Sequence, residues 1–301
     1  MVDLKYTKYS IRKEDGEKML QRPNINLPFF AYGSFKPGQI AYSRIEKHIK
    51  SKSPADCKHK LFLRDGSPFI SKDSIVHGST SGVLIEFKRN CKWDAYGIIC
   101  EVASDKLYYW EVINVEGRHA NALIGRKPSK SNPRRIGKDF DGSNDPYFKE
   151  AIEVIEDGIE EYGKDLKHCQ SEDEMMKIYF KLLRNYILLW SSVERYIGLR
   201  YGKGNYELSN KELFATEKIF QESLRDNIGD ETRDIFRTDN LEKITLDANC
   251  PEDSIDYYYT VRCNIVHRGK TPHGSDEIVF KSLNELLNIF KDVLNDTFNE
   301  S

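Results

Sequence analysis

The sequence lacks any apolar run long enough to cross a bilayer. Its longest, around Phe29–Phe35 and Tyr186–Trp190, fall far short of the roughly 20 residues a spanning helix needs. It also lacks an apolar signal core: the N-terminal stretch MVDLKYTKYSIRKEDGEK is polar throughout, so export is not expected. Six cysteines (Cys57, Cys91, Cys100, Cys169, Cys250 and Cys263) stand singly, without CxxC pairs. That usage points away from disulfides and towards reduced thiols in a cytoplasmic protein. Seven histidines are scattered without HxxxH spacing, so neither a metal nor any other cofactor is implied.

Net charge is also scarce, at −2, but it is unevenly divided. Residues 1–145 carry 26 Lys and Arg against 17 Asp and Glu, and residues 146–301 carry 20 against 31. Two readings stay open. The basic half is the better place for contacts with a nucleic-acid backbone, or the halves simply attract each other.

A chain of 301 residues accommodates one large domain or two ordinary ones, and the text changes character near residue 145. Residues 1–26 are polar and carry no assigned role. In 27–128, short apolar runs alternate with Gly and Pro. Phe29-Phe30-Ala31 reads as a buried strand entering the turn Tyr32-Gly33-Ser34-Phe35. Strands are expected at Leu61–Leu63, Gly82–Phe87 and Gly97–Val102, with a helix starting at Ser104–Leu107 and then Ile113–Gly117. Residues 129–146, within a Pro-, Gly- and Ser-rich stretch bearing Arg126, Lys127, Lys130, Arg134, Arg135 and Lys138, read as a linker.

From 147 to 301 the periodicity is helical. Phe148, Ile152, Ile155, Ile159, Tyr162 and Leu166 form one stripe. Ser171 and Glu174 make a capping box for a helix to about Tyr201, whose stripe runs through Met176, Tyr179, Leu183, Tyr186, Trp190, Val193 and Ile197. Ser209 and Glu212 cap a third helix carrying Leu213, Phe220 and Leu224, and a short helical piece is expected at Glu231–Phe236. A fourth helix starts at Pro251 and stops at Gly269, and a fifth spans about Asp276–Phe298. Five helices with short or moderate links make an up-and-down bundle.

The fourth helix carries the chemistry-bearing stretch YYYTVRCNIVHRGK, residues 257–270. Arg262 and His267 lie five positions apart, about 140° around an ideal helix, so one straight helix does not set them side by side. His267 stands in the last turn, where the backbone loosens. Each residue also suits a purely structural role: His267 at the negative end of the helix dipole, and Arg262 in an ion pair to Asp256 or Glu194.

Two family resemblances rest on these residues. Tyr32-Gly33-Ser34-Phe35, the Gly97–Val102 run and Glu116-Gly117 together resemble the gamma-glutamyl cyclotransferase-like fold, a small mixed barrel, over roughly residues 27–128. The resemblance implies that the Tyr32–Phe35 loop holds a small ligand through backbone donors. It also implies that Glu116 moves protons as 5-oxoproline is released. The segment RHANALIGRKPSK departs from the family, which places an aromatic there.

The helix LLWSSVERYIGLRYG, the RCNIVHRGK motif and the closing apolar helix resemble the HEPN domain, many of whose members are metal-independent ribonucleases. Cys263 departs from the polar residue usual there. The implied fold is α+β: a small mixed barrel followed by an all-α HEPN-type bundle. The resemblance implies a homodimer with one cleft between two copies of this helix. There His267 would serve as acid or base and Arg262 would steady the phosphorane, with Asn264 as a positioning group. Glu194 and Tyr259 would support them.

The implied partner is RNA, in a prokaryotic defence or toxin setting where an antitoxin is a further candidate; no membrane contact is expected. Two alternatives remain: a cyclotransferase using Glu116 with the helical half as dimerisation module, and a non-catalytic binding protein.

Overall fold

The structure, a computed structural model, describes residues 23–64, 66–72, 78–126, 133–202, 210–268 and 276–299, without the side chains of His267 and Arg268. The chain is mixed α+β. Its first part builds one eight-stranded sheet from β1 (Phe29–Ala31), β2 (Ile49–Cys57), β3 (Lys60–Arg64), β4 (Ser67–Ser71), β5 (Thr80–Phe87), β6 (Tyr108–Val115), β7 (Arg118–Gly125) and β8 (Arg134–Arg135). The strand order is β1-β5-β2-β6-β7-β4-β3-β8, and β1 also pairs with β7. Two short helices, α1 (Tyr42–Glu46) and α2 (Lys92–Val102), accompany it.

The expected strands at Phe29–Ala31, Leu61–Leu63 and Gly82–Phe87 are present, and a sharp correction falls at Gly97–Val102. That run is the second half of α2 and not a strand. A short apolar run fits either state, and here Ala95, Tyr96 and Ile99 supply a helical buried face. Tyr96 packs edge-on against Phe29, Phe87 and Trp110, and this aromatic cluster fills the space between α2 and the sheet. The helix expected at Ser104–Leu107 is instead the turn into β6.

The second part contains α3 (Pro146–His168), α4 (Glu172–Tyr201), α5 (Asn210–Ala215), α6 (Lys218–Ile228), α7 (Pro251–Arg268) and α8 (Asp276–Asn299). Asp145 caps α3 through its bond from Tyr147 N, with Pro146 in the first turn. Ser171 caps α4 by accepting from Glu174 N at 3.2 Å, while Glu174 reaches back to Gln170 N at 2.8 Å. The α4 stripe folds inward as its spacing requires, with Tyr179, Leu183, Tyr186, Trp190, Val193 and Ile197 all buried, whereas the α3 stripe ends early, since its last member, Leu166, is exposed. The α4 residues meet Leu283, Leu286, Leu287, Phe290 and Val293 of α8 in one continuous core.

This part is not all-α. The expected helical piece at Glu231–Phe236 is a strand, β9 (Arg233–Phe236), paired antiparallel with β10 (Lys243–Leu246). The third helix is two, α5 and α6, broken at Thr216-Glu217. Ser209, expected as its cap, and Gly269, expected as the stop of the fourth helix, lie outside the described residues. Within the expected linker, residues 129–132 also lie outside them, but 133–146 are not a free tether. Arg134 and Arg135 add β8 to β3, and Ser81 N donates to Lys138 O at 2.8 Å. Among the described residues no helix is long and apolar enough to cross a membrane.

The C-terminal end of α4 abuts the sheet domain. Arg200 Nη1 donates to Ile40 O at 2.9 Å, the Arg44 guanidinium lies over the Tyr201 ring, and a Cβ added at Gly202 would come within 2.2 Å of the Glu101 carbonyl oxygen. A buried cluster lies beneath: Arg200 Nε is 2.8 Å from Glu217 Oε1, and both Tyr196 and Tyr201 donate hydroxyls to Glu217.

Candidate functional site

The residues singled out in the sequence fall into two groups, and the structure treats them differently. In the sheet domain Tyr32 is buried. Its hydroxyl donates to Leu123 O and accepts from Ile70 N at 3.3 Å. Burial raises its phenol well above the ordinary tyrosine range, so it holds its proton. Gly33 has φ +66°, a conformation that favours glycine, and an added Cβ would come within 2.2 Å of Pro68 Cγ. Phe35 is buried against Phe29, and Ser34 is half-buried. Pro68 of β4 therefore already occupies the close approach that the glycine would offer to a ligand.

Glu116 stands apart from this loop. With φ +50° it forms, together with Gly117 at φ +86°, the two-residue turn joining β6 to β7, and its side chain is exposed. Its carboxylate accepts from Asp56 N at 2.9 Å. Tyr32 meets β7 at Leu123, whereas Glu116 precedes Arg118 at the start of that strand. Five residues of strand separate these points, roughly 17 Å. Glu116 and the Tyr32–Phe35 loop do not converge, and the Glu-Gly pair is accounted for by the turn it makes.

In the helical domain Tyr259, Arg262 and Glu194 come near one another. α7 packs on α4: Tyr186 donates to Tyr258 O at 2.9 Å, and the Trp190 and Tyr259 rings lie 5.4 Å apart. Tyr257, Tyr258, Val261 and Ile265 fill the buried face of α7, while Tyr259, Arg262 and Cys263 are half-buried and Val266 is 46 % exposed. Arg262 lies 5.9 Å from the centre of the Tyr259 ring, and Lys211 Nζ lies 3.9 Å from the same ring. Glu194, exposed on α4, accepts from Trp190 Nε1 at 2.9 Å.

The hydrogen bond with Cys263, then partial burial, raises the Tyr259 phenol against the pull of Arg262. Arg262 makes no ion pair among the described residues. Asp256, one candidate counter-ion, is taken by Lys211 and lies 4.0 Å from Arg237. An arginine that is positioned by an aromatic ring and unclaimed by a carboxylate is free to meet an anion.

Asn264 is a correction of role. It is buried; its Nδ2 donates to Phe236 O at 2.9 Å, and its Oδ1 accepts from Thr238 N at 3.2 Å. The amide anchors the β9–β10 hairpin to α7 and is committed there, not turned towards a phosphate. His267 lies in the last turn of α7, and its side chain is outside the described residues.

Sequence reasoning does not reach Lys211 and Arg237 as neighbours of the motif. Neither has a periodic signal, and each meets α7 only through the fold.

No family model and no curated protein matches the chain. Among solved structures, the crystal structure of an uncharacterized protein, PH0828 from Pyrococcus horikoshii, aligns at 16 % identity, covering 38 % of this chain and 90 % of that one, with a TM-score of 0.30. A likeness of that degree carries no argument about fold or function.

Proposed function

We propose that the protein is a metal-independent endoribonuclease of HEPN type, acting as a homodimer, with Arg262 and His267 as its catalytic pair. The observation that carries the proposal is the setting of Arg262: half-buried on α7, lying against Tyr259, beside Lys211, and without an ion pair among the described residues. The reaction fitting that setting is transesterification. A base takes the ribose 2′-hydroxyl proton, that oxygen attacks phosphorus in line, and an acid returns a proton to the departing 5′-oxygen. An imidazole suits both proton transfers near neutral pH, and a planar guanidinium suits the extra charge of the phosphorane. The 140° offset within one helix is resolved if two copies face each other, so that one cleft receives groups from both. Val266 on α7 and Ile187 and Phe180 on α4 are exposed apolar positions on the two helices that such a pairing would cover.

The cyclotransferase alternative has weaker support, because Glu116 and the glycine loop are set apart and Pro68 fills the loop. Binding of a small ligand by the sheet domain stays as the regulatory part of the proposal.

The test is cleavage of total tRNA and mRNA in EDTA by wild type and by Arg262→Ala/His267→Ala of equal fold and oligomeric state. Products ending in 2′,3′-cyclic phosphate, absent from the variant, are expected. Equal products from both proteins, or products only when magnesium is restored, would overturn the reading.

A further inference from the structure

The helical domain that carries Arg262 is acidic, so a polyanion needs another surface to hold it. One patch of the sheet domain collects what that task requires. Ile49 of β2 pairs with Phe87 of β5, which brings the chain before β2 beside the chain after β5. Lys88 Nζ donates to Lys47 O at 2.7 Å, and Lys88 N donates to His48 O at 2.9 Å, fastening the two turns together. Arg89 and Lys92 follow directly, and Lys50 and Lys52 extend the patch along β2. Lys52 pairs with Ile85, three residues from Lys88, or roughly 10 Å along the strand.

Lys47, Lys50, Lys52, Lys88 and Arg89 are exposed. None of Lys47, Lys50, Arg89 and Lys92 forms an ion pair among the described residues. The acidic groups nearby are Glu46, Asp94 and Glu86, the last already bonded to Arg118 at 2.9 Å. The lysines leave a further trace: His48 is lowered by burial and then by Lys47, with Lys88 adding to the effect and Asp94 opposing it.

Directly after Lys92 stands Trp93, 54 % exposed, whereas Trp110 and Trp190 are buried. An exposed indole among cations combines a stacking surface for a base with counter-charges for its phosphates. An anionic membrane could use the same lysines and an interfacial tryptophan, so vesicles are the competing ligand in the test.

We infer that this patch, Lys47, Lys50, Lys88, Arg89 and Lys92 around Trp93, is a docking surface for single-stranded RNA, separate from the cleaving site. The choice of RNA among polyanions rests on the ribonuclease reading. Its binding strength is set by counter-ion release from the phosphates and by stacking on Trp93.

The experiment uses the full chain and a fluorescent 2′-O-methyl oligouridylate, which cannot be cut through a 2′-hydroxyl, titrated at several salt concentrations. Removing four cations in Lys47→Gln/Lys88→Gln/Arg89→Gln/Lys92→Gln is expected to reduce the log–log salt slope by about 3, at about 0.7 per phosphate contact. Trp93→Ala is expected to weaken binding about fivefold or more. Wild-type Trp93 fluorescence should also be shielded from acrylamide by the oligonucleotide.

Unchanged affinity and slope in the quadruple variant, with circular dichroism matching wild type, would overturn the inference. So would a Trp93→Ala variant that binds the oligonucleotide as wild type does, or one in which losses on phosphatidylserine vesicles equal those on the oligonucleotide. Because this oligonucleotide cannot be cut, the titration reads binding alone, and a loss in the quadruple variant and in Trp93→Ala supports the docking surface whether or not cleavage is ever found.

Discussion

Replacing Arg200 by methionine tests the buried junction between the domains most directly. The change keeps the aliphatic stem and removes the charge, leaving the Glu217 carboxylate buried with only the Tyr196 and Tyr201 hydroxyls as donors. Burial alone would lower the Arg200 guanidinium, but Tyr196, Glu217 and Tyr201 outweigh it, so the arginine stays charged. For Glu217, burial raises the carboxyl above the usual range even with Arg200 opposing it. Stranding one member of a buried pair costs about 3–5 kcal/mol. At about 2 °C per kcal/mol for a chain of this length, the melting temperature at pH 8 should fall by roughly 6–10 °C.

The pH dependence has a fixed sign. A carboxyl whose folded value lies above its unfolded one is tolerated below the unfolded value, and that stability is lost as pH rises through the folded value. Arg200→Met should therefore approach wild type near pH 5 and fall away by pH 8. Adding Glu217→Gln should restore most of the loss at pH 8, whereas Glu217→Gln alone leaves the Arg200 charge buried without its carboxylate and should be destabilised at pH 5 and pH 8 alike. Melting scans by circular dichroism at pH 5 and pH 8 measure all three proteins. The reasoning fails if Arg200→Met melts with wild type at pH 8, if its deficit is independent of pH, or if Glu217→Gln does not rescue it.

Asn264→Ala should cost about 1–3 kcal/mol in denaturant titrations, because two hairpin backbone groups lose their partner. Faster hydrogen exchange should then appear in β9 and β10, not across α7. Gly33→Ala, which adds a methyl at φ +66° against Pro68, should destabilise by about 1 kcal/mol or more. Glu116→Gln, on an exposed turn, should shift stability by less than about 0.5 kcal/mol and leave the folded structure unaltered by circular dichroism. A larger loss would mean that the bond from Asp56 N matters more than its exposure implies.

The helices are the most legible part of the chain. Stripes as regular as Tyr179, Leu183, Tyr186 and Trp190 have one solution, and Ser171 and Pro251 mark where α4 and α7 begin. Short apolar runs are less informative: Gly97–Val102 reads equally well as strand or helix until Tyr96 is seen among the aromatic rings it packs against. The β9–β10 hairpin escapes such reading because its segment is polar and its strands are only four residues each. Its anchor, the amide of Asn264, lies on a helix 28 residues from its acceptor at Phe236.

At the candidate site, the grouping of Tyr259, Arg262 and Glu194 is readable from the motif and the α4 helix. The placing of Lys211 and the inward turn of Asn264 are not, because both depend on which way each face of α7 points. Glu116 misleads for a definite reason. A Glu-Gly pair between two strands satisfies a hairpin and a catalytic motif alike, and only the distance to Tyr32 tells them apart.

The thirty-residue helix α4 is about 45 Å long, and it bears on how this protein can be taken apart. One helix serves both halves: its middle turns border the Arg262 face, and its final turns hold Ile40, Glu101 and Arg44 of the sheet domain. Cutting the chain anywhere between β8 and α3 would therefore yield two fragments that each display a surface made for the other. A recombinant helical half should be poorly soluble or sticky unless the Tyr196–Tyr201 end is redesigned. A different sheet domain could not be grafted on by joining termini alone. The two halves are best expressed and engineered as a single piece.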